Sequence, residues 1–166
     1  MQNKSEASVL LSVYENVRGL TKFFISKLGD TDINQVFEIN GIKLNSIHWL
    51  IAHLAWTENE LILKAVGNDD INLPWLEEYG FGSVPAEIKT RPDLESVLEA
   101  LDSIHERAVK ILSGLSEEDL DSDNHLDISF GGSKCKRNLI MHAIRHEPMH
   151  IGQLTWAMKL SGNKTF

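Results

Sequence analysis

Apolar residues recur at steps of three and four through four long stretches of this chain, and almost nowhere at steps of two. Only helices packed on one another satisfy such a pattern. The first stretch runs from about Ser5 to Leu28, with Val13, Val17, Leu20, Phe24 and Leu28 on its stripe. The second opens at Ser46, a suitable N-cap, and continues to Val66, where Gly67 ends it. The third has Pro92 in its first turn and carries Leu94, Leu98, Leu101, His105, Ala108 and Leu112. The fourth runs from about Ser133 to Leu160, before Gly162. Ser116 offers one further helix start, while Leu126 to Phe130 alternates like a strand until Gly131-Gly132 cuts it short. The connection between the second and third helices is long enough to recross the molecule, so those two helices run the same way. The expectation is an all-α, up-down-down-up four-helix bundle forming a single domain over residues 1–166.

A length of 166 residues is enough to bury a real core, and 42% hydrophobic with 24% charged residues is an ordinary balance for a water-soluble chain. A net charge of −8 argues against nucleic acid as a partner, because phosphate binding needs a basic surface. No apolar run approaches the length of a membrane span, and Met1-Gln2-Asn3-Lys4-Ser5-Glu6 has no signal-peptide pattern. The single Cys135 excludes an internal disulfide and fits a reducing, cytoplasmic location.

Chemistry concentrates in the fourth helix. His142, His146 and His150 stand at steps of four, and with 7 His in the chain roughly 0.3 such pairs are expected by chance. About one turn apart on one helix face, His146 and His150 are close enough to share a metal ion. The letters His146-Glu147-Pro148-Met149-His150 match the zinc-protease motif, but Pro148 bends a helix that a protease needs rigid. No His, Asp, Glu or Cys follows His150 to complete a ligand set, so a third ligand comes from upstream. His53, at the edge of the apolar stripe of helix two, supplies one. Three neutral nitrogens with an open fourth position would suit a bound water made more acidic by the ion.

Ser46-Ile-His-Trp-Leu-Ile-Ala-His53-Leu-Ala-Trp-Thr-Glu58, followed by His142-Ala-Ile-Arg-His146-Glu-Pro-Met-His150-Ile-Gly-Gln153-Leu, resembles the DinB-like superfamily across nearly the whole chain. The resemblance implies an up-down-down-up bundle, commonly dimeric, with one divalent ion (zinc, nickel or similar) on one histidine of helix two and two of helix four. On this chain those are His53, His146 and His150. It also implies thiol-dependent chemistry as one option, since relatives include transferases and isomerases that use bacillithiol or mycothiol.

Other residues carry competing readings. His142 lines the pocket or is a fourth ligand, and a hydrogen-bonded interior histidine is the simpler case. Glu58, between Leu54 and Leu61, either orients a ligand histidine or caps a neighbouring element. Trp49 and Trp56 wall a substrate pocket or pack as core aromatics, and Gln153 shares the histidine stripe. His105 reads as a satisfied core histidine, and His48, about 140° around the helix from His53, as a surface or packing residue. Glu147 reads as solvated, Glu117-Glu118-Asp119 as a solvated loop and Cys135 as a buried thiol. Two functions compete. One is a metal-dependent enzyme, a thiol-dependent transferase or a hydrolase, acting on a small electrophilic substrate. The other is a non-catalytic protein that binds a metal or small ligand. A homodimer is expected on the resemblance, with Gly152 permitting close helix approach.

Overall fold

The computed structural model describes residues 5–163. The signal-peptide reading falls mostly on residues 1–4, outside the described residues. The molecule is mostly helical, and three of its four long helices start at a residue whose side chain caps them, the exception being the last, which follows Cys135. Helix α1 (Glu6–Ile25) is capped by Ser5, whose hydroxyl accepts from Ser8 N–H. Helix α2 (Ile47–Glu58) is capped by Ser46, accepting from Trp49 N–H. Helix α3 (Leu94–Ser113) is capped by Asp93, so Pro92 stands just before the cap rather than inside the first turn. The acidic run is not a loop: it forms the short helix α4 (Glu117–Asp121), closed by a reciprocal capping box between Ser116 and Asp119. Helix α5 (Lys136–Leu160) begins three residues later than expected and runs unbroken through Pro148.

Three features depart from the sequence reading. Helix two changes character after Glu58, continuing as a π-helical segment, Asn59–Val66, that Gly67 ends. A Cβ on Gly67 would lie 2.4 Å from Cδ1 of Ile111, so α3 closes tightly over that end. Leu126 to Phe130 forms no strand; the region holds only the isolated bridges Asp123–Cys135 and Phe130–Ser133. Two short antiparallel strands, β1 (Glu38–Ile39) and β2 (Ile42–Lys43), appear instead. Their turn is Asn40-Gly41, with φ of 52° and 79°, the left-handed pair that a tight hairpin requires.

Helix α2 is the central element, with every residue but Trp56 buried. It packs against α3 and α5, while α1 packs against the same two helices. Contacts at the helix ends fix how they lie. Arg137, at the start of α5, pairs with Glu6, at the start of α1, at 2.7 Å. Past their far ends, Asn163 donates to Thr31. His48, at the start of α2, bonds the Pro92 carbonyl just before α3 at 2.7 Å, and is buried in doing so. Among the described residues no helix is long and apolar enough to cross a membrane.

The inward face of α1 differs from the apolar stripe read from the sequence. Val13 and Leu20 are 42% and 44% exposed, whereas Tyr14, Arg18, Thr21 and Phe24 are buried. The interior here holds two carboxylates, and burying a charge is tolerable only when it is paired and hydrogen-bonded. A polar stripe on α1 meets that need where an apolar one would not.

Candidate metal centre

His53 of α2 and His146 and His150 of α5 converge, with one ring nitrogen from each lying within 4.8 Å of the other two. Each ring is steered from a different direction. The imidazole of His53 lies between two indoles one turn to either side. Its centroid is 4.6 Å from Trp49 at an interplanar angle of 11°, and 5.7 Å from Trp56 at 20°. Its Nδ1 donates to the Tyr79 carbonyl at 2.7 Å, which leaves Nε2 as the lone-pair nitrogen, 3.4 Å from Thr57 Oγ1. His150 Nδ1 is paired with Gln153 Oε1 at 3.0 Å, one turn on along α5. Its Nε2 faces His146 Nε2 at 3.1 Å.

Two imidazole nitrogens facing one another at that distance need a proton or a cation between them. Two nitrogens about 2.0–2.1 Å from a tetrahedral ion stand roughly 3.3 Å apart, so the His146–His150 pair fits a metal span without rearrangement. The electrostatics agree. Burial lowers the pKa of His53 to about 4, aided by nearby His150 and opposed by the Tyr79 bond. Burial, with His150, His53 and His142 close by, lowers His146 to about 3. Burial also lowers His150, against the Gln153 bond. The cluster is therefore neutral and lone-pair-bearing at ordinary pH, as metal ligation requires. An all-nitrogen set of this kind suits first-row divalent ions.

The remaining candidates fall at different distances from the cluster. His142 stacks on Phe130 at 3.6 Å between centroids, and its Nδ1 accepts from Arg145. It stands next to His146 but outside the convergent group. Glu58 makes no hydrogen bond to a cluster histidine; it accepts from Tyr14, from His105 Nδ1 at 2.7 Å and from Arg18 Nη2 at 2.7 Å. Burial pulls its carboxyl pKa up, but Arg18 and the His105 and Tyr14 bonds outweigh that and hold it below the usual value. Glu147, expected to be solvated, is buried and accepts from Arg18 Nε at 2.8 Å and from Thr21. The flank of α5 that carries Glu147 faces α1, where Arg18 answers its charge. Cys135 is half-buried at the start of α5.

Sequence reading missed Arg18, Tyr14 and Thr21, which tie α1 to both carboxylates. Their signal was present as a polar series at steps of four and three, set against Glu58 isolated among apolar residues. A groove of about 320 Å³ is lined by Lys43, Leu44, Asn45, Gln153, Trp156 and Ala157. Gln153 is thus shared between the groove wall and the His150 hydrogen bond.

No curated protein matches the chain. The sequence pattern of the DinB superfamily matches residues 14–154, a span that begins at Tyr14 and includes His53, His146, His150 and Gln153. With the match extending over most of the chain and across the whole histidine cluster, the protein belongs to the DinB superfamily.

Proposed function

We propose that this protein is a metal-dependent enzyme that holds one divalent ion, zinc, nickel or similar, on His53, His146 and His150. It acts on a small electrophilic substrate, as a thiol-dependent transferase or as a hydrolase. The observation that carries this reading is the convergence of three neutral imidazoles, one of which is bonded to Gln153 in the wall of a groove. A bound ion supplies Lewis acidity, which makes a water or a thiol nucleophilic near neutral pH. The chain's own groups do the rest. Trp49 and Trp56 fix the His53 ring, Gln153 fixes His150 and borders the groove, and Lys43 and Asn45 offer polar contacts to a substrate or a low-molecular-weight thiol.

The scaffold proposed is one up-down-down-up four-helix domain. Its support is that α1 and α5 are joined start to start and beyond their ends, and that α2 meets α3 at its start while its π-helical continuation meets α3 at its end. We also propose a cytoplasmic homodimer with no nucleic-acid or membrane partner, in line with a net charge of −8 and a single cysteine. A second reading, a non-catalytic metal or small-ligand binder, is favoured by one fact: both carboxylates near the cluster are tied up by Arg18. The test is to reconstitute the protein with zinc, nickel and manganese, then measure metal content and turnover on thiol acceptors, esters and amides. Activity lost with chelator and restored by metal supports the enzyme. Stoichiometric metal with no turnover supports the binder, and no metal uptake refutes both.

A further inference from the structure

Of the three converging histidines, two have their outer ring nitrogens bonded, His53 to a backbone carbonyl and His150 to an amide oxygen. The third does not: Nδ1 of His146 is buried and has no partner within the protein. A ligand histidine nearly always donates its second N–H to a carboxylate, a carbonyl or a water, which fixes the tautomer and the ring direction. His146 also lines a small cavity, together with Tyr14, Thr57, Glu58, Glu147, Leu54 and Ala143.

The room in that cavity for the centre of a water molecule is about 10 Å³. That is close to the smallest space a single water occupies, given two to four polar partners. The partners have capacity to spare. Oε1 of Glu58 already accepts from Tyr14 and His105, but its Oε2 accepts only from Arg18 Nη2. Oε1 of Glu147 accepts from Arg18 and Thr21, but its Oε2 accepts only from the same Nη2, at 3.1 Å. Each carboxylate keeps one free lone pair, on the oxygen that meets the shared guanidinium nitrogen.

We propose that this cavity is a single-water site, in which the water accepts the Nδ1–H of His146 and donates to the carboxylates of Glu58 and Glu147. Resting on the metal-centre reading above, it makes the two glutamates positioning residues: they hold His146 through the water, with Nε2 turned toward His53 and His150. The buried cluster on α1, α2 and α5 thereby becomes the orienting support of the third ligand, acting without contact to the ion.

The test fills the cavity without touching the ion pairs. Ala143→Val places extra methyl groups against it, whereas Ala143→Ser adds a hydroxyl that can share or replace the water's bonds. Zinc affinity is measured by competition with a chromogenic chelator on the full chain, with helicity checked by circular dichroism. Ala143→Val should lose about 10–100-fold in affinity, the range for losing an orienting partner, and Ala143→Ser should stay within a few-fold of the parent. Nitrogen-15 spectra of the zinc-loaded parent should show His146 protonated at Nδ1, with that proton slow to exchange. A parent that binds zinc while Ala143→Val binds equally well overturns the water site, as does an unprotonated or fast-exchanging His146 Nδ1. The spectrum decides alone should the valine variant not fold. A parent that binds no metal refutes the metal centre itself, a result distinct from either.

Discussion

At the residue scale, the division of labour among the histidines follows from where each ring points. His53 comes from a different helix than His146 and His150 and closes the third side of the cluster. His142 lies against Phe130 and Arg145, one turn away from the convergent nitrogens. His53→Ala should therefore lower metal affinity by orders of magnitude, while His142→Ala should cost at most the roughly 10–100-fold typical of neighbours of a ligand. Metal titration of both variants checks this, and the reverse order would mean a different ligand set. The same burial sets a pH dependence in the metal-free protein. His53 and His146 titrate near 4 and 3 when folded, below the ordinary histidine value of about 6.5. Between those values the unfolded chain binds more protons than the folded one, so stability is complete above about pH 6.5 and falls as pH drops toward 4. Each extra proton contributes about 1.4 kcal/mol per pH unit. Urea unfolding across this range should show the decline in the parent, and a shallower one in His53→Ala. Equal slopes would remove His53 as a cause.

At the scale of the element, α1 is the helix whose sequence misleads and whose structure explains why. Hydrophobic periodicity favours Val13 and Leu20 as inward residues, yet they face out, and Arg18 is 2% exposed. One guanidinium joins three helices: it bonds Glu58 of α2, Glu147 of α5 and the Leu101 carbonyl of α3. Arg18→Ala leaves two buried carboxylates without their counter-charge, and breaking a buried pair in this way costs about 3–5 kcal/mol. Thermal or urea unfolding that shows less than about 1 kcal/mol would mean that water reaches the cluster freely. Periodicity reads burial of apolar surface, and together with cap residues and histidine spacing it made the helix starts at Ser5 and Ser46 and the histidine series on α5 legible. It does not register a core built around a charge, so Glu147 and Arg18 were not. Nor does the sequence reading distinguish π from α geometry over Asn59–Val66, a segment too short for its i→i+5 bonding to set up a periodicity of its own.

At the scale of the whole molecule, the inversion of α1 has a consequence for assembly. With a polar stripe turned inward, the apolar side chains of α1 are left outside: Val9, Val13, Leu20 and Phe23 are each more than 40% exposed. On the neighbouring helix α5, Met141, Met149 and Trp156 are exposed as well, Trp156 at 67%. Scattered apolar residues on a surface need no explanation, but large ones on two adjacent helices are where contacts to a second copy are expected. Gly152 has nothing within 4 Å of a built Cβ, so the same side of α5 has room for a helix to approach. The homodimer proposed above is expected to use this α1–α5 face. Sedimentation at micromolar concentration should give a dimer for the parent and a monomer for Val13→Glu combined with Met149→Glu. Both positions are exposed in one protomer, so circular dichroism should show unchanged helicity in the variant. Dimers that persist in that variant would place the interface elsewhere, and a parent that sediments only as a monomer would leave the outward apolar face of α1 as an effect of the buried charge cluster alone.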